Sequence, residues 1–309
     1  MALSNQKIKN ILPQTCQIAR DAGDIIMSYY KNGTTVEIKK DSKGIPSPVT
    51  EADKTAEIYI LAKLKELTPD IPIVSEEAIS AGARPDTSGG TFWTVDPLDG
   101  TKLFIERQAG FRVLIGLVVD HKPVLGVALH PKSGILYSAA GPGTATKTNA
   151  NGTQTKISTR TVPNKGAQII LNKNYARLTD VFNHISAKTI KKSARHVKAN
   201  DLKLGKHNVN SLHYNQDTYE FCQIAEGRRD SHIHVSKSKG DGTNWWDIVP
   251  GHAILDAAGG CIQDFKGNEI SYKNDGKHDS YRVPPFVALG DKKTYSPPLF
   301  SRKKTGLKK

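Results

Sequence analysis

The chain has 309 residues, 37% of them hydrophobic and 24% charged, with a formal net charge of +14. That is enough apolar material for one large core or two packed ones, and it excludes a disordered or fibrous chain. Residues 113–119, "VLIGLVV", are too short an apolar run to cross a bilayer. The first residues carry no basic-then-apolar leader, so neither a membrane span nor a secretory signal is expected.

Apolar residues recur at three- and four-residue steps from Ile8 through Ile11, Leu12, Cys16, Ala19 and Ile26 to Tyr30, which predicts an amphipathic first helix. A turn-rich stretch, "KKDSKGIPSP", follows. A second helix is predicted from Thr50 as N-cap, with Ala52, Ala56, Tyr59, Ile60, Leu64 and Leu67 on one face. "IPIVSEE" predicts a short strand ending in Glu76 and Glu77, and "TFWTVDPLDGT" a strand that breaks at Pro97. Residues 111–141 predict a strand meander with turns at 120–123 and 131–134. The Gly-, Thr- and Asn-rich run that follows suggests a boundary, giving an N-terminal subdomain 1–160 and a C-terminal subdomain 161–309 that closes the active site. In the second half "GAQIILNKN" reads as a strand, "TDVFNHISAKTIKK" as a helix and "TYEFCQIAEGRRDSHIHV" as helix into strand. "WDIVPGHAILDAAGG" predicts a helix with Asp247 at the N-cap, Pro250 in the first turn and Gly259-Gly260 at its end. The mixture predicts a layered α/β (α+β) fold.

The positive charge is uneven. Residues 292–309 hold seven Lys/Arg and no acid, and residues 184–207 hold seven against the single acid Asp201. The first run reads as a solvated tail, the second as a rim able to steer a polyanionic small substrate. No nucleic-acid signature accompanies the charge. Cys16, Cys222 and Cys261 are odd in number, far apart and without CxxC spacing, which argues against a disulfide framework or a zinc site and predicts a reducing, cytoplasmic setting. His232, His234 and His252 read as packing or surface residues.

Five acids frame the chemistry: Glu76 and Glu77 after a strand, Asp96 and Asp99 around a turn, and Asp247 at a helix start. Oxygen ligands without His or Cys nearby suit a hard ion such as Mg²⁺, and two such ions can polarise a phosphate and acidify a water. A backbone carbonyl between Asp96 and Asp99, at Leu98, could add a neutral ligand. A helix starting after Asp99 would aim free N–H groups of Gly100 and Thr101 at an anion. Thr101 could orient a water with Asp53 taking up its proton, although Asp53 could equally close a capping box with Thr50. Asp96 and Asp99 could likewise serve a plain turn.

"WTVDPLDGTKLF" and "WDIVPGHAILDAAGG", preceded by "SPVTEAD" and "PIVSEE", resemble the signatures of the lithium-sensitive inositol monophosphatase and bisphosphate nucleotidase superfamily. The resemblance implies a layered α-β-α-β-α sandwich and two or three Mg²⁺ ions held by Glu77, Asp96, Asp99, Asp247 and the Leu98 carbonyl. It implies substrate contacts from Glu77, Leu98, Asp99, Gly100, Thr101 and Asp247, and catalysis by Asp53, Glu77 and Thr101. "EFCQIAEGRRD" and "GHAILDAAGG" are similar to the CysQ type, which removes the 3′-phosphate of adenosine 3′,5′-bisphosphate in sulfur metabolism. "RQAGF" after the first signature and residues 231–246 before Asp247 depart from that pattern, as does Pro250. An inositol-1-phosphate or sugar-phosphate phosphatase and a non-catalytic polyanion- or RNA-binding protein are the alternatives. The expected partner is a small phosphomonoester; no specific nucleic acid and no integral membrane segment are expected, and the chain is expected as a monomer or homodimer.

Overall fold

The spaced apolar positions Ile8, Ile11, Ile18, Ala19, Ala22 and Ile26 become the buried stripe of helix α1 (Asn5–Asn32), which opens on a Ser4 side-chain cap and stops at Gly33. The computed structural model describes residues 3–40, 46–171, 202–204, 207–214, 219–234, 243–274, 281–294 and 300–302. The expected helix over 179–192, most of the basic segment 184–207, residues 235–242 and the tail from 303 lie outside the described residues. The chain divides into two compact units: residues 1–157 with 244–258 and 271–282, and residues 158–243 with 259–270 and 283–309.

In the first unit, β1 (Val36–Lys40) and β2 (Pro46–Thr50) form an antiparallel hairpin that feeds helix α2 (Glu51–Leu67). Then come β3 (Ile73–Ser75), α3 (Glu76–Ser80), β4 (Phe92–Asp99) and α4 (Thr101–Ile105). The strands β5 (Arg112–Val119), β6 (Lys122–His130), β7 (Ile135–Ala140), β8 (Thr146–Thr148) and β9 (Gln154–Lys156) follow as a meander. All strands from β3 to β9 lie in sequence order in one sheet, β3 parallel to β4 and the rest antiparallel. The β5–β6 turn is made by Asp120 and His121, both at positive φ (51° and 61°), as a tight hairpin between twisted strands requires.

Alternation along the strands gives the sheet two apolar faces. Val113, Ile115, Leu117, Leu125, Val127 and Leu129 join the stripes of α1 and α2 in one core. On the other face Gly116 and Gly126 stand opposite each other across β5 and β6. The last helix of the unit, α5 (Trp245–Ala257), rests there with Val249 and Pro250. A methyl at Gly116 would stand 2.6 Å from Val249 Cγ1, and one at Gly126 would overlap the Pro250 carbonyl. Two glycines side by side thus make a bare patch on which helix backbone can lie.

The second unit holds a seven-stranded sheet in the order 261–264, 286–289, 231–234, 167–171, 207–214, 202–204, 300–302. Its 167–171 strand is parallel to both neighbours. The helix Glu220–Ala225 leads through Gly227 to Asp230. Asp230 accepts from Arg160 Nε and Nη2 at 2.8 and 3.1 Å and from the Gln168 N–H at 2.7 Å. His232 and His234 pack against Phe286, His234 stacked at 4.9 Å, and burial lowers them to about 4 and about 3, so both are neutral near pH 7. His252, in the first unit, bonds Tyr272 Oη through Nδ1 at 2.9 Å. These three act in packing.

Three expectations change. The strand does not break at Pro97: β4 continues to Asp99, and the ladder passes from Asp96–Leu114 to Asp99–Arg112 with one extra residue on β4. Proline, which has no N–H to give, sits in that bulge without losing a ladder bond. Glu76 and Glu77 open α3 instead of ending a strand. Asn244, not Asp247, is the N-cap of α5; Asp247 lies in the first turn and Pro250 inside the helix.

Gly126→Ala should destabilise the fold by about 2–3 kcal/mol or more, because a backbone carbonyl cannot swing away as a side chain does. Gly116→Ala, which meets the Val249 methyl first, should cost less. Urea unfolding of the two variants against the unaltered chain measures the difference.

Candidate active site

Helix α2 supplies the first part of the site. Its N-terminus is closed by a capping box: Asp53 Oδ2 accepts the Thr50 N–H at 2.8 Å and the Thr50 hydroxyl at 2.5 Å. The other oxygen, Oδ1, accepts from Thr101 Oγ1 at 3.0 Å. Asp53 thus closes the capping box with one oxygen and accepts from Thr101 with the other. Burial outweighs these bonds and raises Asp53 to about 6.

Next on the same face of α2 is Glu57, also buried. Its Oε1 accepts from the Ser75 hydroxyl and from the Glu77 and Ala78 N–H groups at 3.1 and 3.2 Å. Ser75, the N-cap of α3, provides no side-chain cap itself. Glu57 does that work from a neighbouring helix and so fixes the start of α3, where Glu76 and Glu77 project.

The bulge in β4 supplies the second part. Asp96 Oδ1 accepts the Leu98 N–H at 3.0 Å, folding the chain back on itself, and Gly100 at φ 89° turns it into α4. The Leu98 carbonyl accepts from Thr101 Oγ1 at 3.2 Å, as an alternative to the shorter bond to Asp53. Thr101 opens α4. Asp247 arrives from the first turn of α5.

The acids repel one another. Asp96 is buried, and its carboxyl is pushed well above the usual carboxylate range, first by loss of water and then by the charges of Glu76, Asp99, Asp247 and Asp53. Asp247 is pushed the same way by desolvation, Asp99 and Glu76, while a hydrogen bond with Asp96 works against the rise. Of the two glutamates it is Glu76 whose charge Asp96 and Asp247 feel; desolvation raises it too, with Asp99 adding to the effect. Glu77 is raised by desolvation, with Asp53 and Glu57 adding to it. The expected choice of Glu77 alone therefore misses Glu76, which shares the field of the three aspartates.

Two cations lean on this set. Lys39 Nζ from β1 bonds Glu76 Oε1 at 3.1 Å and Glu77 Oε1 at 2.5 Å. Arg112 from β5 pairs with Asp99. Among the described residues no three His, Cys, Asp or Glu side chains are gathered as an ion would gather them. The acids are instead turned onto Lys39, onto Arg112, or onto each other. The set nevertheless fits a hard divalent cation: every donor is oxygen, and a cation would relieve the repulsion among these carboxylates.

Glu57, Lys39 and Arg112 escaped the sequence reading. Glu57 had a signal, a carboxylate four residues after Asp53 on the apolar face of α2; Lys39 and Arg112 are recognised only through partners distant in sequence.

A layered α/β sheet unit carrying these acids on a strand bulge, a short helix and a helix start points to a metal-assisted phosphatase class. Residues 7–287 match the model of the inositol monophosphatase family. The chain belongs to the inositol monophosphatase family. It is 34% identical over 262 residues to the 3′(2′),5′-bisphosphate nucleotidase CysQ of Escherichia coli strain K12, covering 85% of this chain and 94% of that one. Among solved structures it resembles CysQ from Bacteroides thetaiotaomicron, at 26% identity and a TM-score of 0.60 over 90% of this chain and 96% of that one. It also resembles an inositol monophosphatase from Zymomonas mobilis, at 25% identity and a TM-score of 0.64 over 93% and 95%.

Glu57→Ala should cost about 2–3 kcal/mol of stability, since it leaves buried donors unpaired, whereas Glu57→Gln, which keeps an acceptor oxygen, should restore most of it. Denaturant unfolding checks the order; equal losses would remove Glu57 from its capping role.

Proposed function

We propose that the chain is a Mg²⁺-dependent phosphomonoesterase that releases the 3′-phosphate of adenosine 3′,5′-bisphosphate. The observation that carries the chemistry is the set of mutually repelling carboxylates next to the Thr101–Asp53 hydrogen bond. The substrate rests on the 34% identity to nucleotidases of that name across 85% of the chain. No helix among the described residues is long and apolar enough to cross a membrane, in keeping with a small-molecule substrate met in water.

Asp96, Asp99, Asp247, Glu76 and the Leu98 carbonyl would hold the cations, with Glu77 beside them. Bound there, divalent cations supply the charge that polarises a phosphate and lowers the pKa of a water. The remaining work belongs to the chain. Thr101 Oγ1 donates its hydrogen bond to Asp53, which leaves its lone pairs to accept from a water and fix where that water attacks. Asp53 is poised to receive the proton because burial raises it to about 6. Gly100 and Thr101 N–H groups at the turn bind phosphate oxygen. Proposed contacts to substrate are Glu77, Leu98, Asp99, Gly100, Thr101 and Asp247.

The test is phosphate release from adenosine 3′,5′-bisphosphate and inositol 1-phosphate, side by side, with Mg²⁺, with EDTA and with Li⁺. Release from the nucleotide should depend on Mg²⁺, fall with Li⁺, and drop about 1,000-fold or more in Asp96→Asn. Preference for inositol 1-phosphate would overturn the substrate and keep the mechanism; release unaffected by EDTA would overturn the mechanism.

Asp53 must be charged to accept a proton. Bound cations favour its charged form and lower the cation-free value of about 6, so kcat should rise with pH and flatten at or below that point. Asp53→Asn should lower kcat about 100-fold or more and remove that limb from the pH–rate profile. A profile in the variant with the same limb at the same pH would assign it to another group.

A further inference from the structure

Lys39 reaches the acids from a hairpin, but Arg112 belongs to the sheet itself. It stands opposite Asp99 in the β4–β5 ladder, its guanidinium paired with the Asp99 carboxylate, and its side chain is only 8% exposed. The bulge creates this pair. Counting an unbroken ladder from the Asp96–Leu114 pair would set residue 98 opposite Arg112; the extra residue in β4 brings Asp99 there instead. Arg112 therefore faces the acids because of the same irregularity that folds Asp96 and Leu98 together.

We infer that Arg112 is an affinity-determining residue of the cation site: a fixed internal charge that holds Asp99 before an ion arrives and shares that carboxylate with the ion afterwards. The inference rests on the cation-binding reading of Asp96, Asp99 and Asp247. One Asp99 oxygen is engaged by the guanidinium, leaving the other for an incoming ion. A guanidinium keeps its charge at every working pH. The ion nearest Asp99 thus meets a positive charge that no titration removes. In return the metal-free site stays assembled, because Asp99 is never a half-buried anion without a counter-charge. The consequence is weaker binding of that ion than the number of carboxylates alone would give.

The experiment needs no turnover. Mn²⁺ is titrated into metal-free protein and the free ion is followed by electron paramagnetic resonance. The chains compared are the unaltered protein, Arg112→Met, Arg112→Gln, Arg112→Lys and Asp96→Asn. Arg112→Met should bind at least one Mn²⁺ about tenfold more tightly or better, because a positive charge a few ångströms away is gone. Arg112→Gln, which keeps a hydrogen bond to Asp99 without the charge, should match it if the apolar variant folds poorly. Arg112→Lys should stay near the unaltered chain. In EDTA the Met and Gln variants should melt lower than the unaltered protein, and Mg²⁺ should raise their Tm by more. Unchanged or weaker Mn²⁺ binding by folded Met and Gln variants would overturn the role of Arg112, as would a Lys variant that binds as tightly as they do. An unaltered protein that binds no Mn²⁺, or no more than Asp96→Asn, would instead overturn the cation reading itself, and the inference with it.

Discussion

Negative charges crowded around one buried aspartate govern this structure. Asp96 is buried in the sheet, Asp247 is bonded to it, and Glu76 and Asp99 add their fields. Such an arrangement opposes folding unless something neutralises it, and apolar packing must hold it in place. The packing can be named. The cores of α1 and α2 brace one face of the sheet. On the other, the paired Gly116 and Gly126 admit the backbone of α5 close enough to carry Asp247 in. Glu57 ties down the helix that carries Glu76 and Glu77.

The carboxylates are met in two ways. Asp96 and Asp247 are bonded to each other and held above the usual carboxylate range. Lys39 and Arg112 bring positive charges from the hairpin and the sheet. A divalent cation would relieve the first repulsion, whereas the two cations must move or share. Lys39 comes from a two-stranded hairpin and Arg112 from the first residue of a strand inside the seven-stranded sheet, so the two differ in how readily they could move. On the proposed function, activity and stability draw on one set of carboxylates, and a ligand that binds only the folded form stabilises it more the tighter it binds.

Much of this was legible in the sequence. The helices α1 and α2, the meander and the helix of residues 245–257 follow from periodicity and caps, and the two signature stretches carry Asp96, Asp99, Gly100, Thr101 and Asp247. What misled was local. Asp-Pro-Leu-Asp reads as a turn because proline breaks ladders, yet a bulge lets the strand run on to Asp99. Asp247 reads as a cap because aspartate favours that place, yet Asn244 holds it. Between adjacent glutamates only three-dimensional placement separates Glu76, which faces the aspartates, from Glu77, which shares Lys39 with it but faces Asp53 and Glu57. Lys39 and Arg112 could not be read at all, because the sequence shows a charge but not its partner across a sheet.

If the acids exist to hold cations, the pH dependence of stability must change when cations are added. Asp53, Asp96, Asp247, Glu76 and Glu77 all have folded-state values above their ordinary ones. Without cations the folded chain therefore keeps protons that the unfolded chain has released, and stability falls as pH rises from about 4 through the raised values. With Mg²⁺ the charged carboxylates are the favoured form, and that fall should vanish or reverse. The decisive measurement is Tm from pH 5 to pH 8 in EDTA and in Mg²⁺. Curves that diverge as pH rises, with Mg²⁺ increasingly stabilising, are expected; parallel or coincident curves would mean that these carboxylates bind no cation and that their crowding serves some other end.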